Sequence, residues 1–211
     1  MYSTQVVASP KRAKARRPGE RAGLTTEAVL GTARRLVREH GTDGLSMRRI
    51  AAELGVLPNT LYSHVADKQA LLDALVDQLL GEIVPPPGRT WRARAIGLLR
   101  ATRTALLREP ALAMQYVQRA GAGPNAIRLA QQGLQISADA GIPPDRAAEA
   151  FRVMIAYTVG FVAFELGRAG AGRPPLPAGV DLDRVAQAPG DAEFELGLEW
   201  LMDGVATMIE N

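Results

Sequence analysis

The sequence predicts an all-α protein, because its composition favours helices and its prolines and glycines divide it into helical segments. Hydrophobic residues make up 47% of the 211 residues and aromatic residues only 5%, while the good helix formers Ala, Leu, Arg and Glu are abundant. Runs of β-branched residues are few, so we expect almost no sheet. A chain of this length can bury a sizeable core in one large domain or two small ones.

The first helix is predicted to begin at Thr25 or Thr26, where a hydroxyl can accept a hydrogen bond from a free backbone N–H, and to end at Gly41. Glu27 suits the positive end of the helix dipole. Apolar residues recur at helical spacing and form one stripe: Val29, Ala33, Leu36 and Val37. Three basic residues stay outside: Arg34, Arg35 and Arg38. We therefore expect a small helical core with a basic rim.

The stretch from Leu45 to Lys68 predicts a helix, a tight turn and a second short helix. Ser46 stands at an N-cap position, and Gly55 stands where the end of the first of these helices favours a residue with positive φ. Pro58 fits the first position of a new helix, because its ring presets φ and its nitrogen has no proton to leave unpaired. This pattern is typical of a helix-turn-helix.

The second short helix is predicted to present a polar face. Leu61 and Val65 point inward, one helical turn apart. The outward residues are Asn59, Thr60, Tyr62, Ser63 and His64. Hydroxyl, amide and imidazole groups can bond phosphate oxygens and base edges, so this helix is predicted to read DNA. Asp67 should cap the next helix, and Lys68 at its start is placed to meet a phosphate.

Residues Leu24 to Leu80, above all LGVLPNTLYSHVADKQALLDAL, resemble the DNA-binding domain of the TetR family of transcriptional repressors. The resemblance implies that the second helix of the helix-turn-helix enters the major groove. The DNA-binding residues predicted here are Arg48, Pro58, Asn59, Thr60, Tyr62, Ser63, His64 and Lys68. Arg48 matches a base-reading arginine of the tetracycline-repressor type, and its guanidinium could contact guanine or only a phosphate. His64 could instead be a structural capping residue.

Pro58, Asn59 and Ser63 differ from the tetracycline-repressor type, so we expect a different operator.

The helix that follows, from Lys68 to about Val84, has an apolar stripe wide enough to pack on two sides. We interpret it as the connector between the DNA-binding head and the rest of the chain.

The breaker run that begins at Pro85 divides the chain, which predicts a DNA-binding domain over 22–84 and a C-terminal domain over 85–211. Residues 1–21 form a basic arm, with six Lys and Arg residues against one Glu in a chain whose net charge is +3. The arm is either a disordered tail or an extension that contacts phosphates or a minor groove.

Five helices are predicted in the C-terminal domain: 91–108, 110–119, 124–140, 145–168 and 191–210. The segment Phe151 to Phe164 is apolar nearly all round, and the last helix carries two apolar stripes. Two stripes need two packing partners, so we infer a homodimer through the helices 145–168 and 191–210. This region resembles the C-terminal domain of the tetracycline-repressor type, which implies a four-helix dimer interface with a ligand cavity beside it.

Seven residues could line such a cavity: Met114, Tyr116, Arg119, Met154, Tyr157, Phe161 and Phe164. Ordinary core packing explains most of them equally well. No histidine follows His64, which argues against a magnesium-chelated drug site of the family type. We expect an apolar or aromatic ligand whose acidic or hydroxyl group meets Arg119 or a tyrosine. The segment 169–190 is either a lid or disordered.

Several classes of protein are disfavoured. The chain has no cysteine, no HExxH, no P-loop and no GxGxxG, so we expect no cofactor, no metal and no enzyme, in a reducing cytoplasm. The longest charge-free apolar run, Val153 to Phe164, is shorter than the roughly 20 residues of a membrane span.

The sequence therefore predicts a homodimeric repressor that a small-molecule inducer releases from double-stranded operator DNA. The alternatives are a ligand-independent DNA-binding or scaffold module and an all-helical enzyme.

Overall fold

The computed structural model describes residues 23–119, 121, 123–169 and 189–210, and within these ranges every regular element is a helix. The all-α prediction is thereby confirmed for the described part of the chain. The helices are α1 Thr26–His40, α2 Met47–Leu54, α3 Pro58–Leu61, α4 Lys68–Gly81, α5 Trp91–Arg108, α6 Pro110–Gln118, α7 Pro124–Asp139, α8 Pro144–Ala169 and α9 Asp191–Glu210. The basic arm 1–21 and nearly all of the segment 169–190 lie outside the described residues.

The helices of the head begin and end at the residues that the sequence indicates. The Thr25 hydroxyl accepts a hydrogen bond from the Ala28 N–H at 3.1 Å, and Ser46 caps α2 in the same way. Gly55 has a φ of 64°, the left-handed conformation that ends α2. The Asp67 carboxylate caps α4. These local caps fix where the three helices of the head meet around one core: Val29, Ala33, Leu36, Leu45, Ile50 and Leu61.

α4 packs on the head with one side and on the C-terminal domain with the other, as a connector should. Its buried residues are Leu71, Leu72, Leu75, Val76, Leu79 and Leu80. The Asp77 carboxylate accepts hydrogen bonds from the backbone N–H groups of Asn125 at 3.0 Å and Ala126 at 3.2 Å, so it caps α7 from outside that helix. Arg128 donates to the Leu80 carbonyl. α4 ends at Gly81, slightly before the predicted limit.

α8 lies at the centre of the C-terminal domain, where it packs on α5, α6, α7 and α9. Its rings meet α9 in one aromatic cluster, in which Tyr157 stacks on Phe194 at 5.5 Å and Phe161 meets Phe194 edge-on at 5.1 Å. The Arg103 guanidinium lies 4.7 Å from the Phe194 ring centroid and donates two hydrogen bonds to Glu165. This cluster holds three helices together.

By length and composition alone, α8 could cross a membrane, since an 18-residue stretch within Pro144–Arg168 has a mean hydropathy of 1.4. The charge-free run Val153 to Phe164 is only part of this apolar stretch. Only 28% of the apolar stretch is buried within one copy of the chain. The helix packs on four others as a core helix does, and its uncovered apolar face includes Val153 and Phe164.

Gly197 allows α9 to approach α8 closely, which generates a stability prediction. A Cβ at this position would overlap the Tyr157 hydroxyl, which donates a hydrogen bond to the Phe194 carbonyl at 2.9 Å. We expect Gly197→Ala to lower the free energy of unfolding by about 1–3 kcal/mol, as overpacking does. Urea unfolding at one fixed protein concentration measures the change.

The matched control is Gly31→Ala on the exposed side of α1, where an added Cβ meets no atom within 4 Å. The better helix propensity of alanine should raise its stability by roughly 0.5–1 kcal/mol. Equal effects of the two variants would contradict the close approach of α8 and α9.

Candidate nucleic-acid interface and adjoining cavity

The head presents the predicted polar face to solvent. Asn59 and Thr60 are exposed on α3, and Tyr62 at its end is 53% exposed. Leu61 is fully buried beneath them and anchors the short helix to the core. α3 has four residues, which is too short to be stable alone, so its polar groups are held in place by this packing.

Two cations of the head are available for phosphate or base contacts. Arg48 is exposed on α2, and Lys68 is half-buried at the first position of α4. Neither makes an ion pair within the described residues. The positive N-terminal end of α4 would attract a phosphate bound near Lys68. One of its N–H groups, that of Ala70, already donates a hydrogen bond to the Asp67 carboxylate. An unpaired guanidinium and an unpaired ammonium beside a polar helix are suited to DNA.

The other three predicted DNA-binding residues make structural contacts. Pro58 is half-buried at the start of α3. The Ser63 hydroxyl donates to the Thr60 carbonyl at 2.7 Å, which uses its proton within the chain. A hydrogen bond of 3.2 Å joins His64 Nδ1 to the Thr26 hydroxyl, so this ring ties the end of α3 to the start of α1. This bond gives His64 a structural contact within the head, and its predicted DNA contact stays a proposal.

Leu57 is a further candidate for DNA contact that the sequence patterns do not mark. Leu57 directly precedes α3, and its side chain is 75% exposed. An exposed leucine beside a polar reading face can contact a thymine methyl group. The sequence indicates this exposure, because Leu57 lies between the turn residue Val56 and the helix-starting Pro58 and belongs to the apolar stripe of neither helix.

The predicted basic rim on α1 is largely neutralised. Arg35 pairs with Glu39 and with Glu53, the latter at 2.6 Å. Arg34 and Arg38 bond carboxylates of the second half of the structure, as described below. The arginines of α1 are therefore mostly paired with carboxylates of the chain and are not free to contact phosphates.

A cavity of about 140 Å³ lies behind the head, among α4, α5, α6, α7 and α8. Its lining is mostly aliphatic: Leu80, Leu98, Leu99, Leu129 and Ile155. Phe151 and Tyr116 supply rings. Burial raises the pKa of Tyr116, so its phenol stays neutral at physiological pH. The Thr102 hydroxyl at the wall donates to the Leu98 carbonyl at 2.8 Å. No charged side chain of the described residues lines this cavity.

Of the seven residues predicted for a ligand site, Tyr116 lines this cavity and the other six lie outside its lining. Arg119 is exposed and lies 3.5 Å from the Asp73 carboxylate on α4. Met114 is half-buried elsewhere on α6, and Met154 is buried in the core.

The remaining three predicted ligand residues face other neighbours. Tyr157 and Phe161 belong to the aromatic cluster with α9, and Phe164 is exposed with the Arg168 guanidinium 4.6 Å from its ring centroid. α8 turns Phe151 and Ile155 toward the cavity instead. Within the described ranges, no group of three or more His, Asp or Glu side chains is placed to hold a metal ion.

Comparisons with known proteins match both halves of the chain. The family model for bacterial regulatory proteins of the tetR family matches residues 29–75, and that for the tetracyclin repressor-like C-terminal domain matches residues 84–188. The class A tetracycline repressor protein from transposon 1721 of Escherichia coli is 35% identical over 201 residues, which cover 87% of this chain and 91% of that protein.

Two solved structures are similar over nearly their whole length. ActR of Streptomyces coelicolor in complex with actinorhodin is 28% identical with a TM-score of 0.76, and the match covers 87% of this chain and 96% of that one. BioQ, from Mycobacterium smegmatis, in complex with its double-stranded DNA operator is 28% identical with a TM-score of 0.70, over 87% of this chain and 99% of that one.

The cavity generates a second prediction, which rests on Gly133. A Cβ at Gly133 would overlap the Phe151 ring, so Gly133→Ala should push this ring into the cavity. Apolar cavities of about 150 Å³ bind benzene. We expect benzene to raise the Tm of the unmodified protein in proportion to its occupancy, and Gly133→Ala to abolish most of that rise.

A thermal-shift titration measures the dependence on benzene concentration, which separates occupancy from any change in basal Tm. Gly31→Ala, far from the cavity, should retain the full benzene response. A full response in Gly133→Ala would show that benzene binds elsewhere.

Proposed function

The chain belongs to the TetR family of bacterial regulatory proteins, and on that premise we propose that it is a homodimeric repressor released from its operator by a small uncharged ligand. The observation that carries the proposal is the head, where the exposed polar face of α3 stands beside the unpaired cations Arg48 and Lys68. A similar head is seen in a structure with operator DNA, that of BioQ.

The DNA contacts that we propose divide into two kinds. Arg48 reads a base edge, because a guanidinium fork fits guanine O6 and N7. Thr60, Tyr62 and Lys68 contact phosphates and fix the position of α3 in the major groove. Asn59 is the remaining polar group on α3 and can bond a base or a phosphate. Pro58, Ser63 and His64 support the helix that carries these contacts.

The proposed dimer interface uses the apolar faces that one copy leaves uncovered. Val153 and Phe164 on α8 are exposed, as are Leu196 and Trp200 on α9, with Trp200 68% exposed. Large exposed apolar side chains on adjoining helices are typical of an interface. A two-fold axis through these helices would place two heads side by side, and paired heads read successive major grooves about 34 Å apart.

The cavity lining defines the class of ligand that we propose. Its walls are aliphatic and aromatic, with the neutral Tyr116 phenol as the polar group that can donate. A charged ligand would lose its hydration there without a partner of opposite charge. We therefore narrow the expected ligand, an apolar or aromatic compound with an acidic or hydroxyl group, to an uncharged ring compound with a hydrogen-bond acceptor. ActR, a similar structure, is seen with actinorhodin.

Ligand and operator are coupled through α4 in this proposal. Leu80 on α4 lines the cavity, and the same helix starts at Lys68 in the head. A ligand that binds a different tilt of α4 more tightly shifts the dimer toward that state and away from the operator. No observation on the described residues favours an enzyme, and a bacterial repressor acts in the cytoplasm, where its operator DNA lies.

The first experiment is fluorescence anisotropy of the purified protein on the DNA upstream of its own gene, with a scrambled duplex for comparison, at several salt concentrations. Tight and saturable preference for the native fragment that persists as salt rises supports sequence-specific reading. Equal and steeply salt-dependent binding to both duplexes would contradict it for this fragment. Operators selected from random DNA then decide the question, because a protein that enriches no sequence is no operator-binding repressor.

Substitutions in the head give the third prediction. Tyr62→Ala and Lys68→Ala should weaken binding to all DNA sequences, because each removes a phosphate contact. Arg48→Ala should cost about 1–3 kcal/mol on the preferred operator and relax the preference at one base position. Anisotropy on the operator and on its single-base variants measures both effects.

Arg146→Ala is the matched control, since it removes one exposed positive charge from α8, outside the head. It should leave operator affinity within twofold of the unmodified protein, an allowance of about 0.4 kcal/mol. Unchanged affinity in all three head variants would refute the proposed contacts.

A further inference from the structure

Glu109 is a buried carboxylate at the junction of the two halves of the structure. It ends α5 and begins α6, and its side chain is 3% exposed. Arg34 donates from Nε to Glu109 Oε1 at 3.0 Å, and Arg38 donates from Nε to the same oxygen at 2.7 Å. Burial opposes ionisation, but the hydrogen bond from Arg38 and the charge of Arg34 outweigh it and hold the pKa of Glu109 below its ordinary value.

The two arginines belong to the head and the carboxylate belongs to the C-terminal domain. Arg34 and Arg38 lie one turn apart on the outer side of α1. Among the ion pairs of the described residues, those of Glu109 join α1 directly to the C-terminal helices. Arg34 also pairs with Glu82 just after α4. The ion-pair cluster therefore joins α1 to the end of α4 and to the start of α6. α1 and α6 are in contact around it.

Stability alone is a poor reason for this arrangement. Desolvating the Glu109 carboxylate and part of the Arg34 guanidinium costs free energy that the attraction often only balances, and the Arg38 side chain is 59% exposed. A planar guanidinium bond, in contrast, is directional. Arg34 and Arg38 lie on one face of α1 and both donate to the same oxygen of Glu109. These hydrogen bonds would break if α1 rotated or slid against α6. The cluster is thus suited to fix an angle between head and domain.

We propose that Glu109 is a positioning residue for operator binding, which holds each head at the angle that sets the spacing between the two heads of a dimer. The proposal rests on the proposed function, since spacing matters only to a protein that binds two half-sites. It requires no contact between Glu109 and DNA. Affinity for a single half-site is therefore independent of Glu109, and the preference for the correct distance between half-sites depends on it.

The test is the spacing preference of Glu109→Gln, which keeps the size of the side chain and removes its charge. An operator is first selected from random DNA with the unmodified protein, and versions with one or two base pairs inserted between the half-sites are made. Anisotropy gives the affinity for each version and for an isolated half-site. The fourth prediction is that Glu109→Gln narrows the preference for correct over altered spacing by between about 5-fold and 150-fold, the usual range of a coupling between sites.

Glu53→Gln is the matched control, because Glu53 forms an exposed ion pair with Arg35 inside the head. It should keep the spacing preference of the unmodified protein, and half-site affinity should be equal in all variants. An unchanged spacing preference in Glu109→Gln overturns the proposal. A loss of half-site affinity in Glu109→Gln also overturns it, because it would show a defect within the head rather than in its position.

A second variant covers the outcome in which Glu109→Gln fails to fold, as circular dichroism would show. Arg38→Gln removes one of the two guanidinium bonds and leaves Arg34 to pair with the buried carboxylate. It should narrow the spacing preference in the same direction, and an unaltered preference in folded Arg38→Gln overturns the proposal. If the unmodified protein enriches no operator, the proposed function fails, which is a different result from any of these.

Discussion

Burial of α4 on two sides is the interaction on which the rest of the structure depends. Leu75 and Leu79 are almost fully buried, and the helix contacts α1 with one side and α6 and α7 with the other. Asp77, which caps α7, adds a directional contact to this apolar packing. Because one helix serves both cores, a change in its tilt cannot be confined to one of them. This shared burial is the physical basis of the coupling between head and cavity that we propose.

The reading surface shows how a very short helix can be made precise. α3 contributes one fully buried residue, Leu61, and the next inward position, Val65, is 9% exposed. The hydrogen bond between His64 and Thr26 closes the far end against α1. These contacts involve the apolar and structural residues of the segment and leave the side chains of Asn59, Thr60 and Tyr62 exposed. The core thus fixes the position of α3, and exposed side chains that lie outside the core supply its hydrogen-bonding groups.

Local signals made the head predictable, whereas the second half depended on contacts distant in sequence. Thr25, Ser46 and Gly55 act within a few residues of themselves, so their roles follow from the chain alone. α8 is apolar nearly all round, and its sequence carries no indication of which side faces the cavity, so the contact of Tyr157 and Phe161 with the aromatic cluster of α9 could not be predicted. The partners of Glu109 lie 71 and 75 residues away, and no local pattern marks them.

The use of arginines inside the protein limits how the head can bind DNA. Arg34, Arg35 and Arg38 would form a basic rim, but carboxylates neutralise them, and Arg49 bonds His40 and the Gly44 carbonyl. Each phosphate contact contributes about −0.9 to the slope of log affinity against log salt. With few free cations on the described head, its salt slope should be shallow, and a steep slope would point to the basic residues of 1–21. Base reading then depends on a small number of groups for which the described head offers few substitutes.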